Sequence, residues 1–255
     1  MYLSSERLAH ANQALRETFQ QCSIVWQAIP HWDTGDPGQV NVSNGIVSSP
    51  GFLTVQHKEQ PLELTLAEVI APTPDALLIG VMAATKTLAK AVDDDIIPSL
   101  YTGAATNPTT SNTAQGLQDS LIDARASVED AGYRAPSSLV TNTVGLKNLS
   151  QLTTSGYSIL QQLLTAANVN SLYRSQPING GDTKTRLIFI GRRRRIAQGA
   201  APDASAGEEP VDVAVSLLPS LEVDGETSSG KIQLTVRIRY ALRITDATGL
   251  VAIKN

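Results

Sequence analysis

Ile232-Gln233-Leu234-Thr235-Val236-Arg237-Ile238-Arg239-Tyr240-Ala241-Leu242-Arg243-Ile244-Thr245 alternates without a break. Its even positions are Ile, Leu, Val, Ile, Tyr, Leu and Ile; its odd positions are Gln, Thr, Arg, Arg, Ala, Arg and Thr. Successive side chains of a strand point to opposite faces, so the pattern predicts a strand with one apolar and one polar face. It would span about 45 Å, where a typical strand has about 5–6 residues. A strand this long needs a long partner to cover its apolar face. A compact enzyme domain seldom needs that pairing, but a thin, elongated tile does.

Residues 74–97 offer the partner. Leu78, Val81, Thr85, Leu88, Val92 and Ile96 recur at three- and four-residue spacing, which predicts a helix with one apolar face. Its length would be about 35 Å. Asp75 can cap its start, and Pro98 is expected to stop or kink it. Residues 103–113 are a polar linker and a candidate domain boundary. Beyond them α and β patterns alternate. Residues 113–131 read as a helix with Leu117, Leu121, Ala124 and Val128 aligned. Residues 138–141 read as a short strand, 143–152 and 157–167 as helices, and 186–190 as a buried strand. Residues 199–210 are a low-complexity loop that cannot build a core.

Upstream, residues 5–27 read as an amphipathic helix with Ser5 as N-cap, ended by Pro30. Leu8, Leu15, Phe19, Cys22 and Trp26 form its stripe. That stripe either docks on a partner subunit or covers its own domain. Residues 33–66 carry turn signals at Asp36-Pro37-Gly38, Ser43-Asn44-Gly45 and Ser49-Pro50-Gly51. The runs between and after them read as a long, thinly apolar hairpin. An isolated two-stranded ribbon is marginal in water, so a neighbouring subunit is a candidate support.

The chain has 255 residues, 42% of them hydrophobic, which allows a core of one or two domains and excludes wholesale disorder. Aromatics are only 4%, so that core is aliphatic. The net charge of -4 implies no general affinity for nucleic acid. Cys22 is the single cysteine, so no intrachain disulfide forms. No signal peptide pattern or transmembrane run opens the chain, and the protein reads as soluble and intracellular when made.

A search for chemistry finds no catalytic residues, cofactor loop or metal set. His10, His31 and His57 lack metal-site spacing, and no nucleophile elbow or phosphate-binding loop occurs. Asp93-Asp94-Asp95 cannot converge on one ion, because consecutive helix positions point about 100° apart. They read as a solvated helix end or a contact with a basic neighbour. Arg192, Arg193, Arg194 and Arg195 form an outlier: residues 182–195 carry a net charge of +5, and residues 203–226 carry -7 with no Lys or Arg. If the arginines continue a strand, Arg192 and Arg194 face one way and Arg193 and Arg195 the other. Ion pairing with acidic groups of the same or an adjacent copy is the expected use; nucleic-acid contact is the alternative.

The order of parts resembles the major capsid protein of tailed bacteriophages, a fold shared with encapsulin nanocompartments. The matching stretches are residues 62–103, including Ala91-Val92-Asp93-Asp94-Asp95-Ile96-Ile97 and Tyr101-Thr102-Gly103; the strand, Asn, helix element of residues 138–152; and the closing strands of residues 237–253. The resemblance implies an α+β tailed-phage major capsid fold. Its parts are an N-terminal arm helix (1–32), an extended β-hairpin loop (33–66), a peripheral domain with long spine helix and long β-strands (67–105 and 221–245), and an α/β apical domain (106–220 and 246–255).

It also implies a structural, non-enzymatic subunit that self-assembles into an icosahedral shell, with no cofactor and no membrane. A phage capsid enclosing double-stranded DNA is placed ahead of an encapsulin enclosing a cargo protein, because the encapsulin N-terminal pattern is missing. An unrelated α/β enzyme is a further alternative. A scaffold or decoration protein would be an additional partner, and the virion capsid, assembled in the host bacterial cytoplasm, the location. Leu15, Phe19, Trp26, Lys58 and the four arginines are the candidate subunit contacts. In some members a lysine of this loop forms an isopeptide bond to an asparagine of another subunit. Lys58 is the only lysine before Lys86 and so the only candidate on the hairpin.

Overall fold

The computed structural model describes residues 3–152, 156–179, 183–197 and 205–255. The arm is two helices, α1 (Ser5–Cys22) and α2 (Ile24–Ala28), where the periodicity predicted one. Ser4 caps α1, one residue before the expected cap: its Oγ accepts from the Arg7 N–H. Three short strands follow, β1 (His31–Asp33), β2 (Asn41–Ser43) and β3 (Phe52–Thr54), then the ten-residue β4 (Gln56–Thr65). Helix α3 (Leu66–Ile70) opens with a capping box between Thr65 and Glu68. The arm is tied to it by Arg7, which donates to the carbonyls of Val69 and Ala71.

Helix α4 (Asp75–Gly103) has 29 residues, about 43 Å. Pro74 occupies its N-cap without a side-chain hydrogen bond, so Asp75 is the first helical residue and not the cap. Pro98 neither stops nor terminates the helix. The lost backbone bond is outweighed by Ile96, Ile97 and Leu100, which are all buried around it. The helix ends at Gly103, where a Cβ would collide with Ile244.

Next come α5 (Ala114–Asp130), β5 (Ala135–Thr141), α6 (Thr143–Leu149), α7 (Leu160–Ala166), β6 (Val169–Arg174) and β7 (Arg186–Arg192). Two long strands, β8 (Val211–Glu226) and β9 (Lys231–Ile244), and the short β10 (Leu250–Lys254) complete the chain. Of the loop expected at 199–210, residues 199–204 lie outside the described residues.

One sheet has the order β1-β8-β9-β4 and the other β10-β7-β5-β6. The expected partnership between β9 and the long helix holds. Ile232, Leu234, Val236, Ile238 and Tyr240 are buried in one cluster with Leu77, Val81, Leu88, Val92 and Ile96 of α4. The second sheet adds Val140, Ile188, Ile190, Leu250 and Ala252 to that same cluster. Its other face packs Leu139, Leu187, Phe189, Val251 and Ile253 against Leu117, Leu121, Ala124 and Val128 of α5. Helix α4 is thus the floor under both sheets.

The long hairpin does not exist as predicted. Strand β4 pairs antiparallel with β9 over its whole length, from Gln56 opposite Tyr240 to Thr65 opposite Lys231. Its support is the chain's own sheet, because Leu62 and Leu64 alternate in phase to pack on the α4 cluster. Pro61 is tolerated because β4 is the edge strand. Only β2 and β3 form a small separate ribbon, with Asn41 opposite Thr54 and Ser43 opposite Phe52. The position expected as a domain boundary, 220/221, lies inside the continuous strand β8.

The break between α1 and α2 has a specific cause. Asp93 of α4, 5% exposed, accepts from Ser23 Oγ (2.8 Å), Ile24 N–H (2.9 Å) and Val25 N–H (3.1 Å). A buried carboxylate thereby caps α2 from another helix. Burial pushes its pKa up to about 6, against the pull of those hydrogen bonds and with the charge of Asp94 adding. The folded pKa lies above the unfolded value near 4, so between about pH 4 and 6 the folded chain holds a proton the unfolded chain has released. That contribution is fully present below about pH 4 and lost as the pH rises through 6. Asp93→Asn cannot titrate. In urea unfolding, wild-type stability relative to Asp93→Asn should fall by about 2–3 kcal/mol between pH 4 and 7 and then level off. Parallel pH profiles would refute the assignment.

Candidate functional site

Three of the expected contact residues are spent inside the chain. Leu15 and Phe19 are fully buried and Trp26 is nearly so, under α1 packed on α4 and β8. Trp26 meets Phe19 edge-on at 5.2 Å and stacks on His31 at 3.8 Å. Of the two readings of the arm stripe, covering its own domain is the one observed. Lys58 sits on β4 opposite Ile238, its Nζ 3.8 Å from Asp95 of α4. Asp95 also accepts from the Tyr240 hydroxyl at 2.7 Å. Lys58 therefore faces its own helix from within its own sheet, not from the tip of a free loop.

The arginine run does not continue as a strand. β7 ends at Arg192, and the next two N–H groups, of Arg193 and Arg194, both point at the Glu209 carboxylate at 2.9 Å. That convergence turns the chain. Arg192 is completely buried. Its Nη2 donates to the Ala28 carbonyl and, at 3.4 Å, to Ser138 Oγ, joining the arm to β5. Desolvation lowers its pKa to about 10, so it stays cationic at neutral pH. The guanidinium of Arg193 lies 4.9 Å over the Tyr133 ring, and Arg194 forms an ion pair with Glu208. The acidic partners are in the same chain, in the stretch whose charge balance pointed to them. Asp182 and Asp203, counted in that balance, lie outside the described residues. Arg192 is withdrawn from the contact surface by burial; Arg193 and Arg195 are exposed.

Sequence reasoning missed a second buried pair. Arg243 Nε lies 2.9 Å from Asp212, with side chains 4% and 0% exposed. Asp212 also accepts from Trp32 Nε1 at 3.0 Å and from the Gly207 N–H at 3.1 Å. Arg243 lies over the Trp32 ring at 5.1 Å. The network bolts β1, β8 and β9 together at one end of the sheet. The turn after β2 lies against it: Gly45 has φ +73, and a Cβ there would stand 2.8 Å from the guanidinium. Burial raises the pKa of Asp212 against those hydrogen bonds and the Arg243 charge. The only available signal was Arg243 on the polar face of β9, and nothing marked Asp212 as its partner.

What the chain leaves uncovered is apolar surface on the ribbon. Val42 and Val55 pack on Ala214 and Ala241, while Val47 and Phe52 are 93% and 82% exposed. Phe52 borders an open cleft of about 570 Å³ with Ile96, Ser99, Tyr240 and Leu242. Further large apolar side chains are exposed at Leu66, Ile70 and Ile79. Among the described residues no cluster of three or more His, Cys, Asp or Glu could hold a metal ion, and no helix is long and apolar enough to cross a membrane.

Arg192→Ala should therefore weaken the fold itself, by about 2–4 kcal/mol in urea unfolding, since it empties a fully buried site and strands the Ala28 carbonyl. Arg192→Met, which keeps volume without charge, should lose less. Arg195→Ala should stay within about 0.5 kcal/mol of wild type. Equal losses for Arg192→Ala and Arg195→Ala would contradict the assignment.

No protein-family model matches the chain, and no curated protein matches it. Solved structures do. The virus-like particle from Pyrococcus furiosus matches at TM-score 0.70 and 14% identity, over 98% of this chain and 98% of that one. The holo encapsulin complex from Synechococcus elongatus matches at TM-score 0.59 and 13% identity, over 88% of this chain and 84% of that one. The capsid of Myoviridae phage XM1 matches at TM-score 0.55 and 12% identity, over 92% of each chain. With these likenesses, the chain has the fold shared by tailed-phage capsid proteins and encapsulins.

Proposed function

We propose that the chain is the structural subunit of a closed icosahedral shell built from many identical copies, a container and not an enzyme. The observation that carries this is the likeness over nearly the whole chain to shell-forming proteins. The exposed apolar ribbon supports it, since Val47 and Phe52 have no cover in their own chain and large exposed apolar groups mark interaction surfaces. A phage capsid enclosing double-stranded DNA, assembled in a bacterial host, is the first reading, supported by the missing encapsulin N-terminal pattern. The match to the holo encapsulin complex at TM-score 0.59 favours a second reading, an encapsulin-type shell around a cargo protein. Scaffold or decoration proteins would be accessory partners. The contents separate the two readings: purified particles should hold nuclease-protected DNA in the first and a co-purifying protein in the second.

The purified protein should elute as large closed particles visible by electron microscopy. A well-folded monomer at all concentrations would overturn the proposal. Within it, the ribbon tip is the proposed contact. Val47→Asp combined with Phe52→Asp should leave circular dichroism unchanged and reduce particle yield about tenfold or more, since burying an unpaired carboxylate in an interface costs several kcal/mol. Undiminished particle yield would remove the ribbon from the interface.

A further inference from the structure

The end of α1, the middle of α4 and the end of β6 meet around a cavity of about 210 Å³. Its cations come from two elements: Lys86 and Lys90, one turn apart on α4, and Arg174, the last residue of β6. Lys90 is ion-paired with Asp94. Lys86 and Arg174 have no acidic partner among the described residues, and Arg174 donates only to Thr143 Oγ1 at 3.3 Å. The carboxylates at the cavity are already engaged. Asp93 is held by Ser23, Ile24 and Val25, and Asp94 by Lys90. Ser175 also lines the cavity. It is 1% exposed, and its hydroxyl has no hydrogen-bond partner among the described residues. A buried hydroxyl left without a partner is uncommon and costs stability unless something completes it.

Three cations, two of them unspent, and one unsatisfied hydroxyl around a small cavity suit a compact oxyanion with several acceptor oxygens. The guanidinium fork offers directional donors and the ammonium groups offer charge. We propose that this cavity binds a phosphate group, either free phosphate or a phosphodiester of a nucleic acid strand, by Lys86, Arg174 and Ser175. Neither source depends on the shell reading.

The test is calorimetric titration of the intact protein with inorganic phosphate at constant ionic strength. Wild type should bind saturably, one phosphate per chain. Lys86→Ala combined with Arg174→Ala should weaken binding at least about tenfold, and Ser175→Ala should weaken it measurably. Both cations are exposed, so folding should be intact by circular dichroism; Lys86→Gln alone serves if the double variant misfolds. Lys231→Ala, at the far end of β9 and paired with Glu63, should leave binding unchanged. A short single-stranded oligonucleotide that competes with phosphate, and loses affinity in the same variants, identifies the phosphodiester source; one that does not compete identifies the free ion. Absence of saturable binding overturns the proposal, and so does an equal loss in Lys231→Ala, which would reduce the effect to general charge.

Discussion

The burial of α4 is the constraint on which the rest of the molecule depends. Among the described residues it gives more buried side chains than any other helix to the cluster that takes in residues of both sheets. Leu77, Val81, Leu88, Val92 and Ile96 are each 1% exposed or less. At about 25 cal/mol per Å² of apolar surface, burying such a stripe is a large favourable contribution. The arm follows from it, because α1 lies on α4 and α2 is capped by an aspartate of α4. The sheets follow too, since each places one apolar face on the same helix. A change that shifted the phase of that stripe would disturb the arm and both sheets together.

Buried charge supplies the orientation that apolar packing leaves loose. Charged groups sit at three junctions: Asp93 between helix and arm, Arg192 between the second sheet and the arm, and the Asp212–Arg243 pair across three strands. Each is costly to bury alone, and each is hydrogen-bonded to backbone or to a counter-charge from a distant part of the chain. A hydrophobic side chain at any of these places would fill space equally well but would accept many packings. The charged ones accept one.

Much of this was legible in the sequence, and the parts that were not share a reason. β9, α4 and α5 were readable because each keeps a single period over many residues. β8 was not. Its alternation is interrupted where the pairing slips between Val215 and Leu217 and again before Ser220, so only its acidic residues stood out. β6 is short and follows a helix end directly. The arm's division at Ser23 depends on Asp93, seventy residues away, and no local pattern can encode that. The misreading of residues 33–66 has the same origin: turn signals locate turns correctly, but they do not say whether the strand that follows pairs backwards with its neighbour or forwards with a strand far along the chain. Of the eight contact candidates, Lys58 and the arginines stood out by charge, and charge alone did not tell a buried arginine from an exposed one.

Strand β9 runs antiparallel to both β4 and β8 along a common axis, with partners on both sides between Ile232 and Tyr240. Tension applied along that axis would act on all the cross-strand hydrogen bonds of the ladder at once, parallel to the strands, so that none could part before its neighbours. Tension applied across it would open the bonds one by one, beginning at the ends. The subunit is therefore mechanically anisotropic: stiff along β9 and compliant across it, with the Asp212–Arg243 pair clamping the end where β4 no longer reaches.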